Sequence, residues 1–102
     1  MLKISKRLCT AASFVRNGAV VADIGTDHAY LPVYCLLNGI CENAIAMDVN
    51  EGPLLRAREH IEERGLTEYI DIRLSDGMEK LKMQEADSIL IAGMGGRLVI
   101  KI

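Results

Sequence analysis

Ala19-Val20-Val21-Ala22-Asp23-Ile24-Gly25-Thr26-Asp27-His28 decides the fold of this chain. Its first six residues are small or β-branched, apolar except for Asp23, and bounded by Asn17-Gly18 before and Gly25 after. A run this short reads as a strand, and one apolar at successive positions is buried on both faces, as in a parallel sheet. Gly25-Thr26-Asp27-His28 then predicts a tight turn into a helix from about Tyr30 to Leu37. Pro32 sits near the first turn of that helix, and Asn38-Gly39 ends it.

The pattern extends in both directions. Upstream, Ile4, Leu8, Ala11 and Val15 recur at helical spacing, with Ser5 as a possible N-cap and Asn17-Gly18 as the stop. Downstream, residues 43–48 (NAIAMD) read as a second strand, and Glu51-Gly52-Pro53 opens a long amphipathic helix ending at Gly65. Residues 69–74 (YIDIRL) alternate like a third strand and lead into the turn Ser75-Asp76-Gly77. A short helical piece is expected near 78–83, then a fourth strand at 88–92 (SILIA), then Gly93-Met94-Gly95-Gly96. Strands alternating with helices imply βαβ units, a parallel sheet and right-handed crossovers. There are no repeats or linkers, so residues 1–102 read as a single α/β domain.

Ligands of such sheets sit outside the carboxyl ends of the strands. Those ends here are Gly25 to His28, Asp48, Asp76-Gly77 and Gly93 to Gly96, so the unusual residues converge on one rim. A dinucleotide-binding turn would want glycine at 25, 27 and 30, where this chain has Gly25, Asp27 and Tyr30. A carboxylate at a helix N-terminus repels pyrophosphate and attracts a cation. S-adenosylmethionine meets that condition, with a sulfonium, an ammonium, a ribose diol, an adenine and no phosphate. Asp48 lies where an acid grips ribose hydroxyls in nucleotide folds, and Asp76 could accept from the adenine amino group. Each has a plainer alternative, a strand-end turn for Asp48 and an Asp-Gly turn for Asp76. His28 is either a turn histidine making one hydrogen bond or a substrate contact.

Composition narrows the partners. The 102 residues are 50% hydrophobic and 25% charged, with net charge −2, which excludes a uniformly basic nucleic-acid coat and argues against disorder. Residues 1–22 nevertheless hold four bases and no acid, and Arg97 and Lys101 add two more; residues 23–96 carry all 14 acids against 6 bases. The basic N-terminal segment is either a solvated helix face or a local contact for a polyanion. No apolar run approaches the roughly 20 residues that cross a bilayer. The N-terminus lacks the pattern of a secretory leader, because its apolar stretch is short and Arg16 closes it. Cys9, Cys35 and Cys41 are odd in number and lack ligand spacing, and neither they nor His60 stand at metal spacing to His28. Reduced thiols in a cytoplasmic protein without a metal are expected.

Three stretches carry a family resemblance: Asp23-Ile24-Gly25-Thr26-Asp27-His28-Ala29-Tyr30-Leu31-Pro32, then Glu51-Gly52-Pro53 after an acidic strand end, then Ile91-Ala92-Gly93-Met94-Gly95-Gly96. Together with Ser5-Lys6-Arg7-Leu8 and Asn17-Gly18-Ala19, they resemble the bacterial tRNA (adenine-N1)-methyltransferases that modify adenine 22. The resemblance implies a Rossmann-like class I methyltransferase fold, here cut after the fourth strand, without the remaining strands or the C-terminal helical extension. It implies S-adenosyl-L-methionine as cofactor and tRNA as partner. Asp23, Gly25, Thr26, Asp27, Asp48, Asp76, Gly77 and Gly93 would line the cofactor site. Asp27 and His28 would serve the chemistry, while Tyr30, Met94, Gly95, Gly96, Lys6 and Arg7 would meet the substrate. A strand four without its neighbour is also expected to favour self-association through the exposed sheet edge.

Two other functions stay open on the sequence. A nicotinamide-dependent oxidoreductase half-domain would have to tolerate pyrophosphate at the first turn, against Asp27. A noncatalytic module would hold the cofactor and turn nothing over.

Overall fold

The computed structural model describes residues 18–26, 29–76, 79–82, 86–93 and 96–101, so the helix expected from Ile4 to Val15 lies outside them. Strand β1 (Gly18–Ile24) is the centre of a five-stranded sheet of order β3-β2-β1-β4-β5. Its neighbours β2 (Cys41–Asp48) and β4 (Ser88–Gly93) run parallel to it, as does β3 (Ile70–Leu74) alongside β2. In register, Ala22 faces Ile45 on one side and Ile89 on the other. The chain adds strands outward from β1 to β3 and then returns to β1's other side with β4. That reversal makes the carboxyl ends of β1 and β4 the topological switch point, where such sheets take their ligands.

Alternation along the strands sends successive side chains to opposite faces. Val21, Ala44, Ala46 and Ile70 pack with residues of both helices, α1 (Tyr30–Leu37) and α2 (Glu51–Glu63), including Leu31, Val33, Ala57 and Ile61. Ala22, Ile24, Ile45, Met47 and Ile89 form the core of the other face, with Ala86 and Leu81 against them. Double-sided burial is why β1 reads as an unbroken apolar run.

Both helices stop in the same way. Gly39 and Gly65 take φ +69°, and the amides beyond them reach back, Ile40 to the Cys35 carbonyl at 2.8 Å and Leu66 to that of Ile61 at 3.0 Å. With Gly39 bonded to Leu36 and Gly65 to Glu62, each end is a Schellman motif that satisfies the last carbonyls.

Two features differ from the sequence expectation. Glu79 and Lys80 form a turn, and Leu81 and Lys82 are not helical, so no helix begins among the described residues of 78–83. The cause is local: the Lys80 amide donates to Ser75 Oγ at 3.1 Å instead of to a helical carbonyl. The chain also continues into β5 (Gly96–Lys101), antiparallel to β4, with Gly93 opposite Gly96. Leu98-Val99-Ile100, rich in β-branched residues, is the sequence signal for it. The edge of β4 is therefore occupied by β5, which removes the expected basis for self-association there; the sheet's outer strands are β3 and β5.

Candidate functional site

The carboxyl ends of β1, β2 and β3 are stitched side by side by main-chain hydrogen bonds. The amides of Gly25 and Thr26 both donate to the Met47 carbonyl, at 2.9 and 2.8 Å. One strand further out, the Ser75 amide donates to the Asp48 carbonyl at 2.9 Å. These bonds fix the spacing of the rim and engage the first two amides of the β1 turn within the protein. Donors held this way do not form the concave nest that cradles a phosphate.

The turn between β1 and α1 is left-handed at both ends. Gly25 has φ 74°, where glycine is unstrained, and Ala29 has φ 61°, which is uncommon for a residue with a Cβ. Ala29 is the N-cap of α1, fully buried, with its amide on the Thr26 carbonyl at 3.1 Å and its carbonyl accepting from Val33 at 3.1 Å. Below the turn, Thr26 Oγ1 donates to Asp23 Oδ2 at 2.8 Å, and both residues are buried. Asp23 and Thr26 thus brace the turn from inside.

Asp48 ends β2 at 8% exposure, and its Oδ1 accepts the Asn50 amide at 3.0 Å, forming an Asx turn into α2. The strand-end turn that the sequence offers for Asp48 is therefore present. Asp76 follows β3, exposed, with its carbonyl accepting from the Glu79 amide at 3.2 Å. Gly93 closes β4, and Gly96 opens β5 opposite it. Tyr30, 40% exposed, packs edge to face on His60 of α2, with ring centroids 5.0 Å apart. Asp27, His28, Gly77, Met94, Gly95, Lys6 and Arg7 lie outside the described residues. Sequence reasoning missed Met47 and Ser75, whose contributions here are main-chain bonds and a hydroxyl that carry no family of side-chain signals.

Other chemistry lies elsewhere. A cavity of about 400 Å³ is lined by residues such as Asn43, Tyr69 and Arg73. Cys35 and Cys41 are free and buried, with their thiols hydrogen-bonded to each other. That bond, then burial, holds the Cys35 thiol far above its ordinary range, while the bond it gives to Cys41 lowers Cys41 against the opposing effect of burial. Among the described residues no three His, Cys, Asp or Glu side chains gather as metal ligands, and no helix is long and apolar enough to cross a membrane.

Residues 4–102 match the family model described as a methyltransferase domain. The chain belongs to the methyltransferase domain family. Within that family it is 52% identical over 101 residues to the tRNA (adenine(22)-N(1))-methyltransferase of Bacillus subtilis, covering 99% of this chain and 42% of that protein. The crystal structure of the B. subtilis M1A22 tRNA methyltransferase TrmK superposes with TM-score 0.88 at 53% identity, over 93% of this chain and 41% of that one. M. capricolum TrmK, in complex with S-adenosyl-homocysteine, gives TM-score 0.82 at 42% identity, over 88% of this chain and 41% of that one. This methyltransferase domain therefore spans about two fifths of the length of these relatives, and the fold expected from the resemblance is the one observed.

Proposed function

We propose that the chain is the S-adenosylmethionine-binding domain of a methyltransferase that modifies N1 of an adenine in tRNA. The observation that carries this reading is the make-up of the rim. Two carboxylates, Asp48 and Asp76, stand at adjacent strand ends, beside a turn whose Gly25 and Thr26 amides are engaged by Met47. Such a rim suits a cationic ligand with hydroxyls and an amine, and it disfavours the pyrophosphate of a nicotinamide dinucleotide. The likeness to the B. subtilis enzyme supports the narrower choice of substrate, a tRNA adenine.

S-adenosylmethionine, when bound, supplies an electrophilic methyl group on a cationic sulfur. The adenine N1 lone pair lies in the ring plane and can attack that carbon directly, so no strong base is required. Transfer would leave the methyl on N1, a neutral thioether as the leaving group and the positive charge on the base, where a carboxylate of the rim would be favourable. On this reading Asp48 holds the ribose hydroxyls and Asp76 the adenine amine of the cofactor. Asp27 and His28, which lie outside the described residues, are assigned to the chemistry by the resemblance, Asp27 to the developing charge or the target's exocyclic amine. Charge aimed at the reacting atoms, together with in-line alignment, would supply most of the acceleration. N1 is on the Watson–Crick edge, so the target base must be unpaired or flipped out.

The test is direct: unmodified tRNA is incubated with the protein and S-adenosylmethionine, and digested nucleosides are analysed by mass spectrometry. A 1-methyladenosine product is expected. Cofactor binding without any methylated nucleoside would favour the second reading, a domain that holds cofactor without turnover.

A further inference from the structure

We propose that Arg73 is a positioning residue that sets the carboxylate of Asp76 against the adenine amine of the cofactor; this rests on the reading of the rim given above. Arg73 lies on β3, two residues before Ser75. Its Nε and Nη2 both donate to Asp71 Oδ2 at 2.9 Å, and its Nη1 donates to the Lys80 carbonyl at 2.9 Å. On Lys80's other side, its amide donates to Ser75 Oγ at 3.1 Å. One peptide segment beyond the turn is therefore gripped from both directions by side chains of the same strand end. Asp76 is the first residue of the loop so closed, and the Glu79 amide on its carbonyl draws the loop tighter.

Stability alone does not account for the arrangement. The Arg73 side chain is 21% exposed and that of Asp71 60%, and an ion pair so open to water contributes little to folding. What Asp71 does is aim the planar guanidinium: with two nitrogens held on one oxygen, the third is directed at Lys80. Lysine cannot reproduce this, because its single ammonium has no fixed fork. Ser75 carries the consequence to the neighbouring strand, since its amide is bonded to the Asp48 carbonyl at 2.9 Å. Ser75 thereby links the segment that Arg73 holds at Lys80 to the strand that ends in Asp48.

The effect should be read as loss of adenine recognition, separate from loss of binding in general. Isothermal titration would compare S-adenosylhomocysteine with its analogue carrying hydrogen in place of the adenine amino group. The wild type should prefer the amino compound by about tenfold, the scale of one hydrogen bond to a carboxylate. Arg73→Gln should bind both compounds equally, at the wild-type level for the analogue. Asp76→Ala should do the same, the double variant should lose nothing more, and Arg73→Lys should fall between. Thermal melting by circular dichroism checks that each variant is folded. An Arg73→Gln protein that keeps the preference, or that weakens both compounds equally while Asp76→Ala erases the preference, overturns the proposal. A wild type without preference, or an Asp76→Ala variant that keeps it, overturns the assignment of the rim itself and the proposal with it.

Discussion

The Met47 carbonyl accepts two amides at once, those of Gly25 and Thr26, so the turn that opens the first helix is anchored to the neighbouring strand. The bond to Gly25 is compatible with its φ of 74°, which a β-branched residue would adopt only with strain. Gly25→Val should therefore both strain the turn, by about 1–2 kcal/mol for the left-handed backbone, and place a side chain where the cofactor must approach. The expected outcome is a protein with a lowered melting temperature and no measurable S-adenosylhomocysteine binding. Wild-type affinity in this variant would mean that the β1 turn is not the binding loop.

Thr26 and Asp23 make the second test, this time of the support beneath the turn. Thr26→Val preserves shape but removes the hydroxyl that donates to the buried carboxylate at 2.8 Å. A hydrogen bond to a charged group is worth about 1.5–3 kcal/mol, and denaturant unfolding should show a loss in that range. Thr26→Ser should restore most of it. If Thr26→Val unfolds like the wild type, the hydrogen bond does not brace the turn.

The buried thiols give a prediction with a definite sign. Cys41 is lowered by the bond from Cys35 and raised by burial, the first effect being the larger. Cys35→Ala removes the first and leaves the second, so the Cys41 titration should move from below the ordinary thiol value to above it. Ultraviolet thiolate absorbance followed against pH measures this. An unchanged midpoint would show that the two sulfurs do not share a proton in solution.

Asp27 separates the mechanistic readings. If it faces the sulfonium and target base, Asp27→Asn should lower methyl transfer to tRNA by more than tenfold, about 1.4 kcal/mol, while changing cofactor affinity less. If it merely serves as a turn residue, Asn serves nearly as well, and neither rate nor affinity should move.

Much of this architecture is legible in the sequence where punctuation residues flank an apolar pattern. Pro32 and Asn38-Gly39 mark α1 at its observed limits, Tyr30 to Leu37. The start of β2 at Cys41, two residues before the expected Asn43, was hidden because Glu42 is exposed on the strand. The turn at Glu79-Lys80 was hidden for a different reason. Its sequence suits a helix, but Ser75 Oγ and the Arg73 guanidinium capture the amide and carbonyl of Lys80. At the rim, Gly25, Asp48 and Asp76 could be picked out because a turn or a charge after a buried strand is unusual. The carbonyl of Met47 and the amide of Ser75 could not, since main-chain contacts depend on which strands become neighbours.

The central claim, that Asp48 on this rim holds the ribose of S-adenosylmethionine, is tested most directly by titrating S-adenosylhomocysteine into wild type, Asp48→Asn and Asp48→Ala, with NAD in parallel. Asn keeps an acceptor for the Asn50 amide, so Asp48→Asn separates loss of charge from loss of the turn. The account predicts one S-adenosylhomocysteine site in the wild type, no NAD binding, and a loss of about 1.5–3 kcal/mol in Asp48→Ala. A folded Asp48→Ala protein with unchanged S-adenosylhomocysteine affinity, or a wild type that prefers NAD, would contradict it.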